Sequence, residues 1–233
     1  GAEPLPILVA AAGVLVVSAG LNRGAAELPA PQAERGPRLR FTRPLVLLGL
    51  LCGVAFVAES GIENWSALFL ETELDASPAL AGLGPGFFAA AMVLGRVLGQ
   101  RLEARVGDAV LLSCGGLLAA GGLTTAATAP AIPVAIAGFF LGGAGISVAA
   151  PTLFGAAGRS SAEHERGSSV AAVTTLSYLG FLGGPPLIGS VSGALDLRAG
   201  VALLAGIAVL VSVASASLSS ALPLRRVQHP ARG

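Results

Sequence analysis

Lysine is absent from these 233 residues, and charge of either sign is scarce. Charged residues make up 12 % of the chain, where an ordinary soluble domain carries about 25 %. That scarcity argues against a solvated globular domain. The missing lysines leave arginine as the sole basic residue, which reads as a codon preference with no mechanism attached. Only two cysteines occur, Cys52 and Cys114, and no Cys-x-x-Cys spacing joins them. A disulfide framework and a zinc site are therefore excluded, and each cysteine reads as a small core residue inside an apolar run. His164 and His229 have no metal-binding neighbours. There is no His-Glu-x-x-His and no Gly-x-x-x-x-Gly-Lys. The hydroxyls of Ser147, Thr174 and Thr175 have no nearby base, so no nucleophile is assembled. An enzyme is not expected, and neither is a cofactor or a metal. The basic stretches lack aromatic interleaving, so no nucleic-acid partner is expected either.

What the chain has in quantity is long apolar runs. Hydrophobic residues make up 54 %, and the mean hydropathy is +0.80. Seven runs cover 4–21, 44–70, 78–101, 109–127, 131–157, 168–192 and 197–219. Each is long enough to approach or exceed the span of a membrane helix, about 20 residues. The 33 glycines lie mostly inside these runs. In lipid, small residues let helix backbones approach closely, and Gly95-x-x-x-Gly99 and Gly138-x-x-x-Gly142 fit that use. If the seven runs alternate across a bilayer, every arginine except Arg198 falls on one side. The positive-inside rule makes that side cytoplasmic, with the C-terminus inside. The chain starts at Gly1 without a charged leader, so the first run does not read as a signal peptide, and an upstream portion is expected.

One run breaks the apolar rule. Ala58-Glu59-Ser60-Gly61-Ile62-Glu63-Asn64-Trp65-Ser66 puts two acids into the second span. A carboxylate at bilayer depth costs roughly 2.5–3.5 kcal/mol on the lenient insertion scale. Glu59 and Glu63 are one turn apart and share a face. Such a pair either fixes helix contacts or serves a water-filled cavity as a substrate- or proton-binding group. No arginine is expected at mid-depth to partner them. A carboxylate without a cation suits reversible protonation, and an anionic solute is disfavoured for the same reason. Glu63 is preferred, because Asn64 and Trp65 beside it add a hydrogen-bonding group and a stacking face.

The third run closes on Gly95-Arg96-Val97-Leu98-Gly99-Gln100-Arg101-Leu102-Glu103-Ala104-Arg105-Val106-Gly107-Asp108. This stretch resembles the Gly-Asp-x-Leu-x-x-Arg-x-Gly loop motif of the major facilitator superfamily. Gly99, Leu102, Arg105 and Gly107 match, and Gln100 stands where the acid is usual. Gly142 to Pro151 resembles the fourth helix of that family's C-terminal bundle. Gly180 to Gly189, with the paired Pro185 and Pro186, resembles the fifth, and the prolines are expected to kink or unwind it. The Gly61 to Ser66 stretch is similar to permeases of the fucose type.

The resemblance implies an all-α membrane protein. Residues 1–21 would be the last helix of an N-terminal bundle, 22–43 a basic cytoplasmic linker, 44–219 a six-helix C-terminal bundle and 220–233 a cytoplasmic tail. Five earlier helices would be missing. It implies alternating access by a secondary transporter in a bacterial inner membrane, carrying a small polar solute with a proton, in first place a sugar-like one. A drug/proton antiporter and a non-transporting scaffold or sensor are the alternatives. The implied substrate- and proton-binding residues are Glu63, Glu59, Asn64, Trp65, Tyr178, Thr175 and Ser147. Phe87, Phe88, Met92, Phe139, Thr174 and Phe181 are further implied cavity positions. Gly95, Arg96, Gly99, Arg101, Arg105, Gly107, Pro185 and Pro186 would govern conformation. The implied partners are the solute, the proton, the lipid bilayer and the missing N-terminal bundle.

Overall fold

A computed structural model describes residues 41–219 and 221–225. The expected span 4–21, nearly all of the 22–43 linker and the tail beyond 225 lie outside the described residues. The chain folds as helices α1 (Arg43–Leu74), α2 (Pro78–Ala81), α3 (Leu83–Val106), α4 (Asp108–Ala127), α5 (Ile132–Ile146), α6 (Ala149–Arg159), α7 (Arg166–Ala194) and α8 (Leu197–Ser217). A 3₁₀ turn, Glu163–Glu165, leads into α7. Six spans among the described residues are long and apolar enough to cross a membrane, and they match the later six apolar runs to within a few residues. The molecule is an all-α membrane bundle.

The helix ends follow local chemistry. Pro44 sits in the first turn of α1, where a missing N–H removes no helical bond. The same helix stops at Asp75, whose left-handed backbone returns its N–H to the Leu70 carbonyl. Gly107 joins α3 directly to α4 at φ 76° and ψ 159°, a conformation costly for any residue with a Cβ.

Inside the bundle α1 packs chiefly on α7 and α8, α4 on α5 and α8, and α3 on α5. Numbering the six spans in order, exchange of the first three with the last three maps these contacts onto themselves. Three helices make the second unit run opposite to the first, so this is the packing of an inverted repeat. Leu48, Ile62, Phe69, Phe139 and Leu204 are fully buried at its centre. Small residues set the closest approach. A Cβ on Gly122 would lie 2.6 Å from the Gly142 nitrogen, and one on Gly138 would lie 2.6 Å from the Ala126 nitrogen. The glycines let α4 and α5 touch backbone to backbone.

Three expectations change here. The run 131–157 is two helices, because Ser147 and Val148 interrupt it between α5 and α6. Pro151 explains the break: it has no N–H to return to the Ser147 carbonyl. By contrast α7 stays helical through Pro185 and Pro186, so the pair does not unwind it. Finally, Cys52 is buried but Cys114 is exposed, so only the first is a core residue. Its place on α4 falls on the outer side of the bundle, which an apolar run cannot distinguish from the inner one.

Candidate functional site

Glu59 lies at the centre of α1, 16 residues from Arg43 and 15 from Leu74. At about 1.5 Å per residue that is more than 20 Å from either end. Arg96 lies inside α3, with ten residues still to run before the helix ends. One guanidinium nitrogen of Arg96, Nη2, donates to Oε1 of Glu59 at 3.4 Å. The expectation that no cation reaches the acids at mid-depth is thereby overturned. The loop motif puts Arg96 at the helix end, whereas it sits a full turn and more inside the span. The signal was present, since Met92 to Leu94 and Val97-Leu98 flank it with apolar residues on both sides.

The pair forms one wall of a pocket of about 540 Å³. Its other walls are aromatic: Phe56 from α1, Phe154 from α6, and Tyr178 and Phe181 from α7. Phe56 is the hub, meeting Phe154, Tyr178 and Phe181 edge-on with centroids 5.9–6.3 Å apart. Edge-to-face packing of this kind holds rings in fixed orientations. Ala150 and Pro151 complete the lining, so the break between α5 and α6 lies beside the pocket. The volume falls within the range of small-molecule sites, roughly 300–1,000 Å³.

Two unit charges 3.4 Å apart attract by about 5 kcal/mol at an effective dielectric near 20. Inserting the two separately into lipid costs about 5–7 kcal/mol, so pairing offsets most of that. The Arg96 side chain is 47 % exposed and that of Glu59 18 %. The contact is single, not the two-pronged fork that arginine makes with a committed carboxylate partner. Four of the five guanidinium N–H groups are left for something else.

The other expected residues are dispersed. Glu63 and Asn64 are exposed and lie outside the pocket lining, and Asn64 Nδ2 donates to the Ser60 carbonyl at 2.8 Å. The Trp65 indole N–H donates across to the Pro185 carbonyl at 3.2 Å, tying α1 to α7. Thr175 donates to the Ala171 carbonyl of its own helix, and Ser147, just past the end of α5, donates to the Ala144 carbonyl. Of the further positions, Phe139 meets Phe69 edge-on in the core and Phe88 is buried against Gly143. Gly95 faces Ser147 and Gly99 faces Val148, so both let α3 close on the α5–α6 junction. Arg101 and Arg105 are exposed near the end of α3.

A cluster that sequence spacing did not reveal sits at the arginine-rich end. Asp108, fully buried, accepts from Arg159 Nη2 at 2.5 Å and from the Arg225 backbone N–H at 2.8 Å. Its own N–H donates to the Arg225 carbonyl at 3.0 Å. Glu103 joins through Arg159, and its carbonyl accepts from the Arg225 guanidinium. The set spans positions 103 to 225, which no local pattern connects. At the opposite end Arg198 bonds Glu73 and the Ala127 and Ala129 carbonyls, and lies over the Phe69 ring. A second cavity, about 530 Å³, lies beside Thr42 and the 3₁₀ turn. Ser160, Ser161 and Ser168 donate to nearby backbone carbonyls, Ser169 pairs with the Ser161 hydroxyl, and Glu165 is the charged side chain in the lining. Among the described residues, no three His, Cys, Asp or Glu side chains gather to hold a metal.

Comparison with known proteins agrees with this architecture. The chain is 36 % identical over 198 residues to an uncharacterised MFS-type transporter of Yersinia pestis, covering 82 % of this chain and 50 % of that one. It is 35 % identical over 175 residues to the membrane protein MosC of Rhizobium meliloti, covering 75 % and 42 %. The chain thus spans about half the length of the curated relatives it matches. Among solved structures it shares the fold of a peptide transporter POT (TM-score 0.70, 17 % identity, 81 % of this chain and 41 % of that one). The E. coli fucose:proton symporter FucP is similar too (TM-score 0.67, 18 % identity, 81 % and 46 %). The family model for the Major Facilitator Superfamily matches residues 48–232, and the chain belongs to that family.

Proposed function

We propose that this chain forms the C-terminal bundle of a secondary transporter that moves a small solute together with a proton by alternating access. The observation that carries this reading is the Glu59–Arg96 pair at mid-helix, walling an aromatic pocket of about 540 Å³. Ionisable groups inside a membrane span mark substrate or proton paths, because their cost is otherwise unexplained. A second bundle, in the half of the relatives' length that this chain does not span, would close the pocket from the opposite side. The arginine-rich end faces the cytoplasm of a bacterial inner membrane on the positive-inside rule. Glu59 is the proton site in this scheme. Glu63, one turn along and exposed, is the secondary group.

The pocket also bears on the solute. A sugar needs many hydrogen-bond partners, yet Glu59, Arg96 and Tyr178 are the polar side chains lining this wall. The test uses the full-length gene product in proteoliposomes with an imposed pH gradient. Sugars, aryl anions and lipophilic cations are offered, with Glu59→Gln and Glu63→Gln beside the wild type. Gradient-driven accumulation lost in Glu59→Gln and kept in Glu63→Gln is the expected result. No accumulation of any solute by the wild type would favour a non-transporting scaffold.

A further inference from the structure

The Glu59–Arg96 pair is chemically lopsided. A carboxylate that loses its cation can be neutralised by one proton. A guanidinium that loses its anion cannot shed its charge at any ordinary pH. An incoming solute can break the pair in two ways. A cation would take Glu59 and leave Arg96 stranded and charged inside the span. An anion would take Arg96 and leave Glu59 free to accept a proton, so that neither residue is left as an unpaired charge. The second exchange avoids an isolated intramembrane charge; the first does not.

The surroundings favour the same direction. Arg96 is the more exposed partner and uses one N–H on Glu59, so its remaining donors are open to a carboxylate or sulfonate. Beyond it the lining is Phe56, Phe154, Phe181 and the Tyr178 ring, which suits an apolar body. The charged or titratable groups around Glu59 are few. Arg96 faces it from α3 and Tyr178 from α7, with Glu63 one turn along its own helix and Cys52 two turns back. Helix α5 and the short α2 contain no ionisable residue, α6 contributes Ala150, Pro151 and Phe154, and Arg198 of α8 is committed to Glu73. Nothing else on these elements stands ready to neutralise a freed Glu59.

We propose that this pocket takes a monovalent organic anion with an apolar, ring-sized body. The anion replaces Glu59 on Arg96 while Glu59 takes up one proton from solution, so solute and proton cross together with no net charge. This inference rests on the transporter reading above and names its substrate class.

The test uses the purified full-length gene product in lipid nanodiscs under weak buffering, with p-toluenesulfonate and phenylacetate as probes. Binding is read by equilibrium dialysis and proton uptake by a pH electrode. Wild type should bind either anion saturably and take up about one proton per anion bound. Glu59→Gln should still bind but take up none. Arg96→Gln should lose at least tenfold in affinity, and Arg96→Lys, which keeps the charge, should recover part of it. Fucose and tetraphenylphosphonium should cause no proton uptake. Saturable anion binding without proton uptake overturns the exchange. Saturable binding of fucose or tetraphenylphosphonium with neither anion bound, or no binding of either anion, overturns the substrate class. Failure of every solute to accumulate in proteoliposomes would instead overturn the transporter reading itself.

Discussion

Asp108→Asn should free the C-terminal segment from the bundle. Asp108 is fully buried, and its carboxylate holds both the Arg159 guanidinium and the Arg225 backbone N–H. Asparagine keeps the size but removes the charge that makes those bonds strong. Breaking a wholly buried ion pair costs about 3–5 kcal/mol. Here the arginines are 41–42 % exposed and rehydrate on release, and Glu103 still engages both. The loss is then nearer the worth of one charge-assisted hydrogen bond, about 1.5–3 kcal/mol. Part of it appears as easier opening of residues 221–225, because Arg225 anchors them together with the buried Leu222 and Leu224. A local cost of about 2 kcal/mol multiplies the open population roughly thirtyfold. Tryptic cleavage after Arg225 in nanodiscs follows that population when opening and closing outpace cleavage. Cleavage should therefore accelerate at least tenfold, with the rest of the chain intact. Asp196→Asn is the control, since Asp196 caps α8 at the opposite end. A rate within threefold of wild type in Asp108→Asn would refute the reasoning.

Other consequences can be checked as directly. Arg198→Ala removes an ion pair, two carbonyl bonds and a cation–π contact at once, and should lower stability by about 2–3 kcal/mol in denaturant titration, with Arg198→Lys restoring only part. Gly122→Ala should cost about 1–3 kcal/mol because its Cβ meets α5 backbone, while the neighbouring Gly121→Ala, with open space around it, should be neutral or stabilising by up to ~1 kcal/mol. Trp65→Phe removes the indole bond to Pro185 but keeps the ring, and a loss of about 1 kcal/mol is expected in the same titration.

Much of the bundle was legible because hydropathy and length decide it. A span must hide some 20 residues' worth of backbone, and six of the apolar runs delivered spans at their expected places. Glu59 was legible as a carboxylate where lipid forbids one. Its partner was not legible, because Arg96 belongs both to an apolar run and to a loop motif, and the motif points to the helix end. The preference for Glu63 rested on its sequence neighbours Asn64 and Trp65, but in a helix adjacent residues point 100° apart. Trp65 turns to Pro185, and Asn64 folds back on Ser60. The Asp108 cluster was out of reach for a different reason. Its members come from α3, α4, α6 and the segment after α8, and only tertiary packing brings them together.

The break at Ser147 and Val148 has a mechanical consequence. A continuous helix is a stiff rod, and force on one end tilts the other. Interrupting the ladder beside Pro151 divides the fourth span into two shorter rods that meet at Ser147 and Val148. Phe154 rides on the second rod, and the glycine contacts with α4 clamp the first. The pocket wall and the α4–α5 seam therefore stand on different segments of a single span, so a load on one is not carried as a rigid tilt into the other.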